Sequence, residues 1–527
     1  MKKGLFRKGL VFGIIVMTLL IGTMIFPVNG QTAVSKNIIK NNDEISSEYL
    51  ISENSNYPLN NDLDEYIINF MSEDHIPGLS ATIVKNDSVF WTNSYGYANI
   101  SKGQLVEDTT LFLLASVSKT IVATAIMQLY EQGYFDLHDP INDYLQFEVN
   151  HPNFPSTNIT FLMLLTHTSS IKDNWGVMHY FPGDPTMPLG EYLEEYLTPG
   201  GNYYNPALNF CPEEPGTVFE YSNIGAALIG YLVEVISNVT FAEYCEINIF
   251  QPLDMDETAW FLADLNVSNI AVPYRWIGSK YIAYPHYSNN WYPAACLRSS
   301  VTELRNHLMM MMNNGKYNST QILQESTVDL MLSTQYPSLP IQGIIWYKMY
   351  FGGRNFWGHS GSYDGCRTVM LFEPKTNIGV IVLTNGEFGN QAMIEILIEL
   401  FDFAENMPPN EPIIDGPASG KTRIKYDYIF VTSDPEEHNV SYFIDWGDNT
   451  TSDWSDFVTS GAEITLTHKW SKQGSYTIKA KAKDSYDAES DWSEFEVTIP
   501  RTRVLTNVWY QCFLECFPML ERLLNFL

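Results

Sequence analysis

Along "FLLASVSKTIVATAIMQLYEQG" (residues 112–133), the side chains of Val117, Ile121, Val122, Ala125, Ile126, Leu129 and Tyr130 are apolar at intervals of three and four. That spacing gathers them on one helical face and predicts a buried helix that begins near Ser116 and stops at Gly133. The run "PGTVFEYSNIGAALIGYLVEVIS" predicts a second apolar helix just after Tyr221, Ser222 and Asn223. "FWGHSGSYDGCRTVMLFEPKTNIGVIVLTNG" predicts neighbouring strands. Helical and strand patterns alternate without long gaps from Leu59 to about Asn406, as in one large mixed α and β domain (58–406). The pattern then breaks at "MPPNEPIIDGPASG" (407–420), where four prolines and two glycines predict a linker. Beyond it Tyr476, Ile478, Ala480 and Ala482 alternate with Thr477, Lys479, Lys481 and Lys483, the period of a half-buried strand. With the short runs "VSYFIDWGD" and "EITLTHKW", residues 421–500 read as a small β-sandwich.

The two ends have a different texture. Lys2, Lys3, Arg7 and Lys8 precede an uncharged apolar stretch from Gly9 to Phe26, which reads as an export signal over residues 1–30. Cleavage after Gly30 is the preferred reading; retention as a single anchor is the other, because the apolar run is long for a cleaved signal. Residues 31–57 are polar and rich in Asn and Ser, as a linker is. In 501–527, Trp509, Phe513, Phe517, Leu520 and Leu524 recur at helical spacing, with Pro518 set to kink or split the helix. This tail reads as an amphipathic segment that packs on the protein or lies on a membrane.

Charge narrows the partners. A net charge of −31 opposes nucleic acid, whose phosphates need basic patches. Six scattered cysteines suit neither a disulfide framework nor a zinc cluster, although one or two disulfides would fit an exported chain. The expectation is therefore a secreted or cell-surface protein with no nucleic-acid partner.

The chemistry begins at Ser116. Three residues along a helix, Lys119 shares its face, so an ammonium stands beside a hydroxyl at the amino end of an apolar helix. Such a neighbour and the helix dipole both favour the alkoxide. Ser-x-x-Lys by itself is common, and Ser169 to Lys172 repeats it in a stretch that reads as a loop. The case rests on further pieces: Tyr221-Ser222-Asn223 ahead of an apolar helix, and His359-Ser360-Gly361 on a strand edge. Tyr287-Ser288-Asn289 and Tyr203-Tyr204-Asn205 repeat the middle pattern without an apolar helix behind them, and read as loop tyrosines.

Taken in order and at these separations, the three motifs resemble those of the serine β-lactamase and penicillin-binding-protein superfamily, nearest its class C and esterase branch. "HIPGLSATIVKN", "LLTHTSSI" and "GVIVLTNG" fall where that family has similar segments, so the resemblance covers about 60 to 406. It implies an α+β fold: an antiparallel sheet flanked by helices, plus a helical subdomain, with the site between them. It also implies an acyl-enzyme on Ser116, with Tyr221 taking the serine proton from a phenol made more acidic by Lys119. Asn223 would orient Lys119 and the substrate, and the backbone N–H groups of Ser116 and Ser362 would hold the oxyanion, Gly361 permitting the close approach. No metal or organic cofactor is implied. Where antibiotic-degrading relatives carry Lys in the third motif this chain has His359, largely neutral at pH 7, which points towards esters or other peptides. Ser170 stands where relatives usually have glycine, and His167 nearby reads as structural. Hydrolysis of an ester, amide or β-lactam in a small-molecule or peptide substrate is the first reading; a D-amino-acid-specific peptidase and a catalytically silent surface binder are the alternatives. The segment from "FIDWGDNTTSDWS" to "GSYTIKAKAKDSYDAESDW" resembles the PKD family of Ig-like modules, through Asp445-Trp446-Gly447-Asp448.

Overall fold

One seven-stranded sheet, covered on both faces, organises the larger part of the molecule. The computed structural model describes residues 61–500; the signal, the 31–57 segment, the 501–527 tail, Cys512 and Cys516 lie outside the described residues. The chain divides between Ala404 and Glu405 into two compact units.

In the first unit the strands are β1 (Gly78–Lys85), β2 (Ser88–Asn99), β3 (Gln104–Leu105), β4 (Tyr347–Phe351), β5 (Arg354–Tyr363), β6 (Cys366–Glu373) and β7 (Ile378–Thr384). They form one sheet in the order β4-β5-β6-β7-β1-β2-β3, each neighbouring pair antiparallel. Thr82 opposite Ile381 fixes the register by which β1 meets β7, nearly three hundred positions later in the chain. All of β7 is buried, because both faces of the sheet are covered. Its even-numbered Val380 and Val382 enter one core, against Leu63, Ile67 and Met71 of α1 (Asn61–Glu73) and Leu397 and Leu400 of the carboxyl-terminal helix Asn390–Glu405. Its Ile381 and Leu383 enter the other core, with Leu304 and Leu308 of the helix Val301–Met312. Period-two alternation thus divides one strand between two apolar layers.

The second of these cores extends into a helical region containing α2 (Ser118–Glu131) and α3 (Asn223–Ser237). Every residue of α2 from Ser118 to Met127 is buried, so this helix lies inside the subdomain and has no wet face there. The sequence expectation of a helix starting at Ser116 is refined by a short 3₁₀ turn, Ala115–Val117, that precedes the α-helix. Cys211, Cys245, Cys296 and Cys366 are buried free thiols.

The second unit is a two-sheet β-sandwich. One sheet holds Ile413–Asp415, Tyr426–Val431 and Ile464–His468; the other holds Val440–Asp445, Gly474–Asp484 and Ser493–Ile499. Ile478, Ala480 and Ala482 point into a core with Tyr428, Tyr442, Trp446 and Trp470, while the alternating lysines stay outside it. The Asp445–Asp448 turn is held by Gly447 N–H donating to Asp445 Oδ1 at 2.8 Å, with Gly447 at φ 73°. Segment 407–420 differs from the linker expected of it, since Ile413–Asp415 pairs with Ile429–Val431 as a strand of the sandwich. Pro412 and Pro417 flank that strand, and an edge position leaves their missing N–H groups without cost.

Candidate active site

Five separate segments bring the site together. The first is the turn Ala115–Val117, buried against β5 and β6: Thr368 Oγ1 on β6 donates to Leu114 O at 2.7 Å. Ala115 sits at φ 47°, a left-handed conformation costly for a residue with a Cβ, and it turns the chain sharply just before Ser116. Ser116 is 7% exposed at the amino end of α2. Ser118 faces elsewhere, accepting from the Leu297 N–H at 3.2 Å.

Lys119, three residues past Ser116 and the second residue of α2, is fully buried. Its ammonium donates to Ser116 Oγ at 3.1 Å, to Asn223 Oδ1 at 2.7 Å and to the Ala294 carbonyl at 2.7 Å. Burial drives its pKa from the ordinary lysine value down to about 7, with Asp173 pulling back upward. Beside a serine, a lysine poised there switches between ammonium and free amine near neutral pH.

Asn223, the first residue of α3, is held by a loop residue that the sequence reading did not select. Asp173 accepts from Asn223 N at 2.9 Å, from Ile224 N at 3.1 Å and from Asn223 Nδ2 at 2.6 Å. A carboxylate therefore caps α3 from outside the helix, alongside the Ser222 cap whose Oγ accepts from Gly225 N at 2.8 Å. The same carboxylate orients the amide oxygen towards Lys119. Asp173 had no signal of its own, since it follows the Ser169–Lys172 repeat inside an irregular loop. The Ala294 carbonyl was equally invisible, as any residue can supply it.

Tyr221 lies against this cluster, with Lys119 Nζ 5.0 Å from its ring centroid. Its hydroxyl is buried and makes no hydrogen bond, although it lies near enough to Ser116 to be influenced by it. The expected acidification by Lys119 does not occur. Burial dominates and raises the phenol well above 10. His167 packs against Tyr221 with ring centroids 4.5 Å apart and the rings tilted by 37°, and its Nδ1 accepts from Ser222 N at 3.2 Å. It is the structural residue expected of it, kept uncharged by burial and by Lys119.

The third motif lies on β5. His359 is fully buried and packs edge-on to Tyr347, its Nδ1 2.7 Å from Ser360 O. Burial and Lys119 lower its pKa to about 3, so it is a neutral wall of the site. Gly361 is where β5 meets the serine turn: a Cβ there would lie 2.4 Å from Leu114 O, 2.2 Å from Thr368 Oγ1 and 3.1 Å from Ser116 N. Only glycine allows that contact, which brings the Ser116 backbone against the strand. Ser362 follows, opposite Arg367 on β6.

The repeats separate from the site for physical reasons. Ser169 and Ser170 are buried in a loop with no helix behind them, Ser170 at φ 60° with an unpartnered hydroxyl. Tyr287 differs from the loop tyrosine expected: it lies on a short strand, Tyr287–Asn289, buried with Leu113, Ala115 and Cys366. Tyr203 and Tyr204 lie in a turn, packed at the edge of the helical core.

A buried lysine between a helix-end serine and an asparagine amide, under an antiparallel sheet edge, is a serine-hydrolase-type site on a β-lactamase and penicillin-binding-protein fold. The chain belongs to the Beta-lactamase family, which matches residues 63–404. Protein flp of Staphylococcus aureus (strain NCTC 8325 / PS 47) is 27% identical over 331 residues, covering 61% of this chain and 62% of that protein. The match thus spans less than two thirds of that relative's length. A class C beta lactamase structure from Rhodobacter sphaeroides superposes with a TM-score of 0.50 at 19% identity, covering 65% of this chain and 99% of that one. The PKD domain of an M14-like peptidase from Thermoplasmatales archaeon SCGC AB-540-F20 is 45% identical, covering 18% of this chain and 99% of that one, with a TM-score of 0.18.

Proposed function

We propose that the first unit hydrolyses an uncharged ester or amide through an acyl-enzyme on Ser116, and that the protein works outside the cytoplasm, secreted or at the cell surface. The observation that carries this is Lys119 Nζ at 3.1 Å from Ser116 Oγ, fully buried and with its pKa lowered to about 7. As the free amine, Lys119 takes the Ser116 proton while Oγ bonds to the substrate carbonyl carbon. Tyr221 keeps its proton at neutral pH and is the hydroxyl that passes a proton to the leaving group, to be restored from Lys119. The Ser116 and Ser362 N–H groups receive the oxyanion. Water then attacks the acyl-enzyme with the same groups in reverse. Neutral His359 offers no fixed charge to a substrate carboxylate, which favours esters and neutral amides over β-lactams and D-amino-acid peptides. A silent binding protein has no use for a desolvated lysine beside a serine.

The test is intact-protein mass spectrometry after exposure to a fluorophosphonate and, separately, to a labelled penicillin, with Ser116→Ala as control. A serine-dependent fluorophosphonate adduct with little penicillin adduct supports the reading. Strong penicillin acylation moves the substrate to β-lactam-like peptides, and no adduct on folded protein favours the binding role.

A further inference from the structure

Period two along β5 puts His359, Gly361 and Tyr363 on one face. At the first, the imidazole centroid lies 6.4 Å from that of the Tyr221 ring. At the second, the strand meets Leu114 O and Ser116 N. At the third, Tyr363 packs against a small cluster of Leu113, Ala115, Tyr287 and Cys366. The turn that carries the nucleophile therefore lies between Tyr221 at one end and Tyr363 at the other. Since Tyr221 passes a proton to the leaving group in the acyl-transfer reading, the leaving group lies towards His359 and the acyl group towards Tyr363.

Tyr363 does not stand alone there. Its ring centroid is 5.4 Å from that of Tyr287 and 5.9 Å from that of Tyr180, and the last two are 4.8 Å apart. The three rings come from separate segments and are fixed in place. Tyr180–Pro182 pairs with Tyr287–Asn289 as a short antiparallel ribbon, and the buried Arg298 donates to the Tyr287 carbonyl at 2.5 Å. The turn after β5 takes two of the hydroxyls: Tyr287 donates to Asp364 O at 2.5 Å, and Tyr180 to Asp364 Oδ2. With those hydroxyls engaged, what the two rings leave for a ligand is carbon. A single exposed tyrosine is ordinary on a protein surface. Tyr180, 42% exposed, is instead the open side of an immobilised three-ring wall that reaches back to Ala115, the residue before Ser116.

We propose that Tyr180, Tyr287 and Tyr363 form the acyl-group subsite of the Ser116 centre, and that the acyl group it takes carries an aromatic ring. The proposal rests on the acyl-enzyme reading and adds a substrate class to it: esters or neutral amides of aryl-substituted carboxylic acids. A ring entering at the open side meets Tyr180 edge-on or offset, an arrangement favoured beyond the area it buries. Tyrosines already held by hydrogen bonds lose little freedom when it arrives.

The experiment measures kcat/KM, by titration of the acid released, for ethyl butyrate, ethyl phenylacetate and phenyl acetate. It uses the wild type, Tyr180→Ala and Tyr180→Phe, beside fluorophosphonate labelling of the wild type. Comparing each ester across the variants cancels its intrinsic reactivity. In Tyr180→Ala the ratio of ethyl phenylacetate to ethyl butyrate falls about tenfold, chiefly through KM, and Tyr180→Phe, which keeps the ring and loses the Asp364 bond, restores it. If Tyr180→Ala fails to fold, Tyr363→Leu gives the same fall. A purely structural Tyr180 lowers all three rates together, and an unchanged ratio overturns the proposal. A fall for phenyl acetate in place of ethyl phenylacetate overturns the assignment to the acyl side. Wild-type protein that takes the label but hydrolyses none of the esters overturns the subsite alone, whereas protein that does neither overturns the hydrolase reading with it.

Discussion

Asp173 holds Asn223 by both its main-chain N–H, at 2.9 Å, and its side-chain amide, at 2.6 Å. Through this double hold a loop carboxylate fixes the amide whose other end receives the Lys119 ammonium. Asp173→Asn keeps the size but removes the charge and sets a second amide against Asn223. Because Asp173 raises the Lys119 pKa, its neutralisation lets that value fall below about 7. The acid limb of the rate profile therefore moves to lower pH, while the maximal acylation rate drops on the order of 10–100-fold from misplacement of the amine. A pH series of fluorophosphonate labelling checks both, and a purely structural role for Asp173 would leave the midpoint where it was.

In the unmodified protein, labelling of Ser116 rises with pH around a midpoint near 7, as Lys119 becomes the free amine. The sign for stability follows from the same shift. The folded lysine binds its proton less tightly than the unfolded one, whose pKa is about 10.4, so the unfolded chain carries more protons between those values. The contribution of this group to stability therefore grows as pH rises through that window, and its penalty is fully present below about pH 7. Lys119→Met removes the penalty, and with it the labelling: a chain that melts higher at pH 6 and does not react is the expected pair of results.

Gly361→Ala forces a methyl group to within 2.4 Å of Leu114 O and 2.2 Å of Thr368 Oγ1. Neither neighbour is the end of a flexible side chain free to swing away. Relief requires the serine turn to move off β5, at a cost of about 1–3 kcal/mol in stability and roughly 100-fold in labelling rate. Denaturant unfolding and the rate of adduct formation measure the two effects independently.

Ser170→Gly should stabilise the protein. Ser170 combines φ 60° with a buried hydroxyl that has no partner. Glycine removes the left-handed strain and the orphaned group, against a smaller loss from a more flexible unfolded chain. The expected net gain is about 1 kcal/mol, read as a higher denaturant midpoint with Ser116 labelling unchanged.

Much of this was legible in the linear pattern, because it depends on local periodicity. Three-and-four spacing after Ser116 placed Lys119 beside it, and period-two alternation at Tyr476–Lys483 marked a strand of the sandwich. The apolar run Ile378–Thr384 was readable as a strand, but its central place in the sheet was not. The close approach at Gly361 came from the family resemblance, and the atoms it approaches only from the fold.

Tertiary structure alone decided the rest, since it depends on what distant segments bring into contact. The 3₁₀ turn under Ser116 comes from packing against β5 and β6. Asp173 and the Ala294 carbonyl reach Lys119 across 50 and more positions of chain, and nothing local distinguishes them from ordinary loop residues. The state of Tyr221 was misjudged for the same reason. The family resemblance implied a positive neighbour and with it an acidic phenol, but desolvation depends on every atom packed around the ring and raises the phenol instead. Periodicity specifies the elements and the pairings within a turn or strand, whereas the dielectric and the long-range partners that set a pKa exist only once the chain has folded.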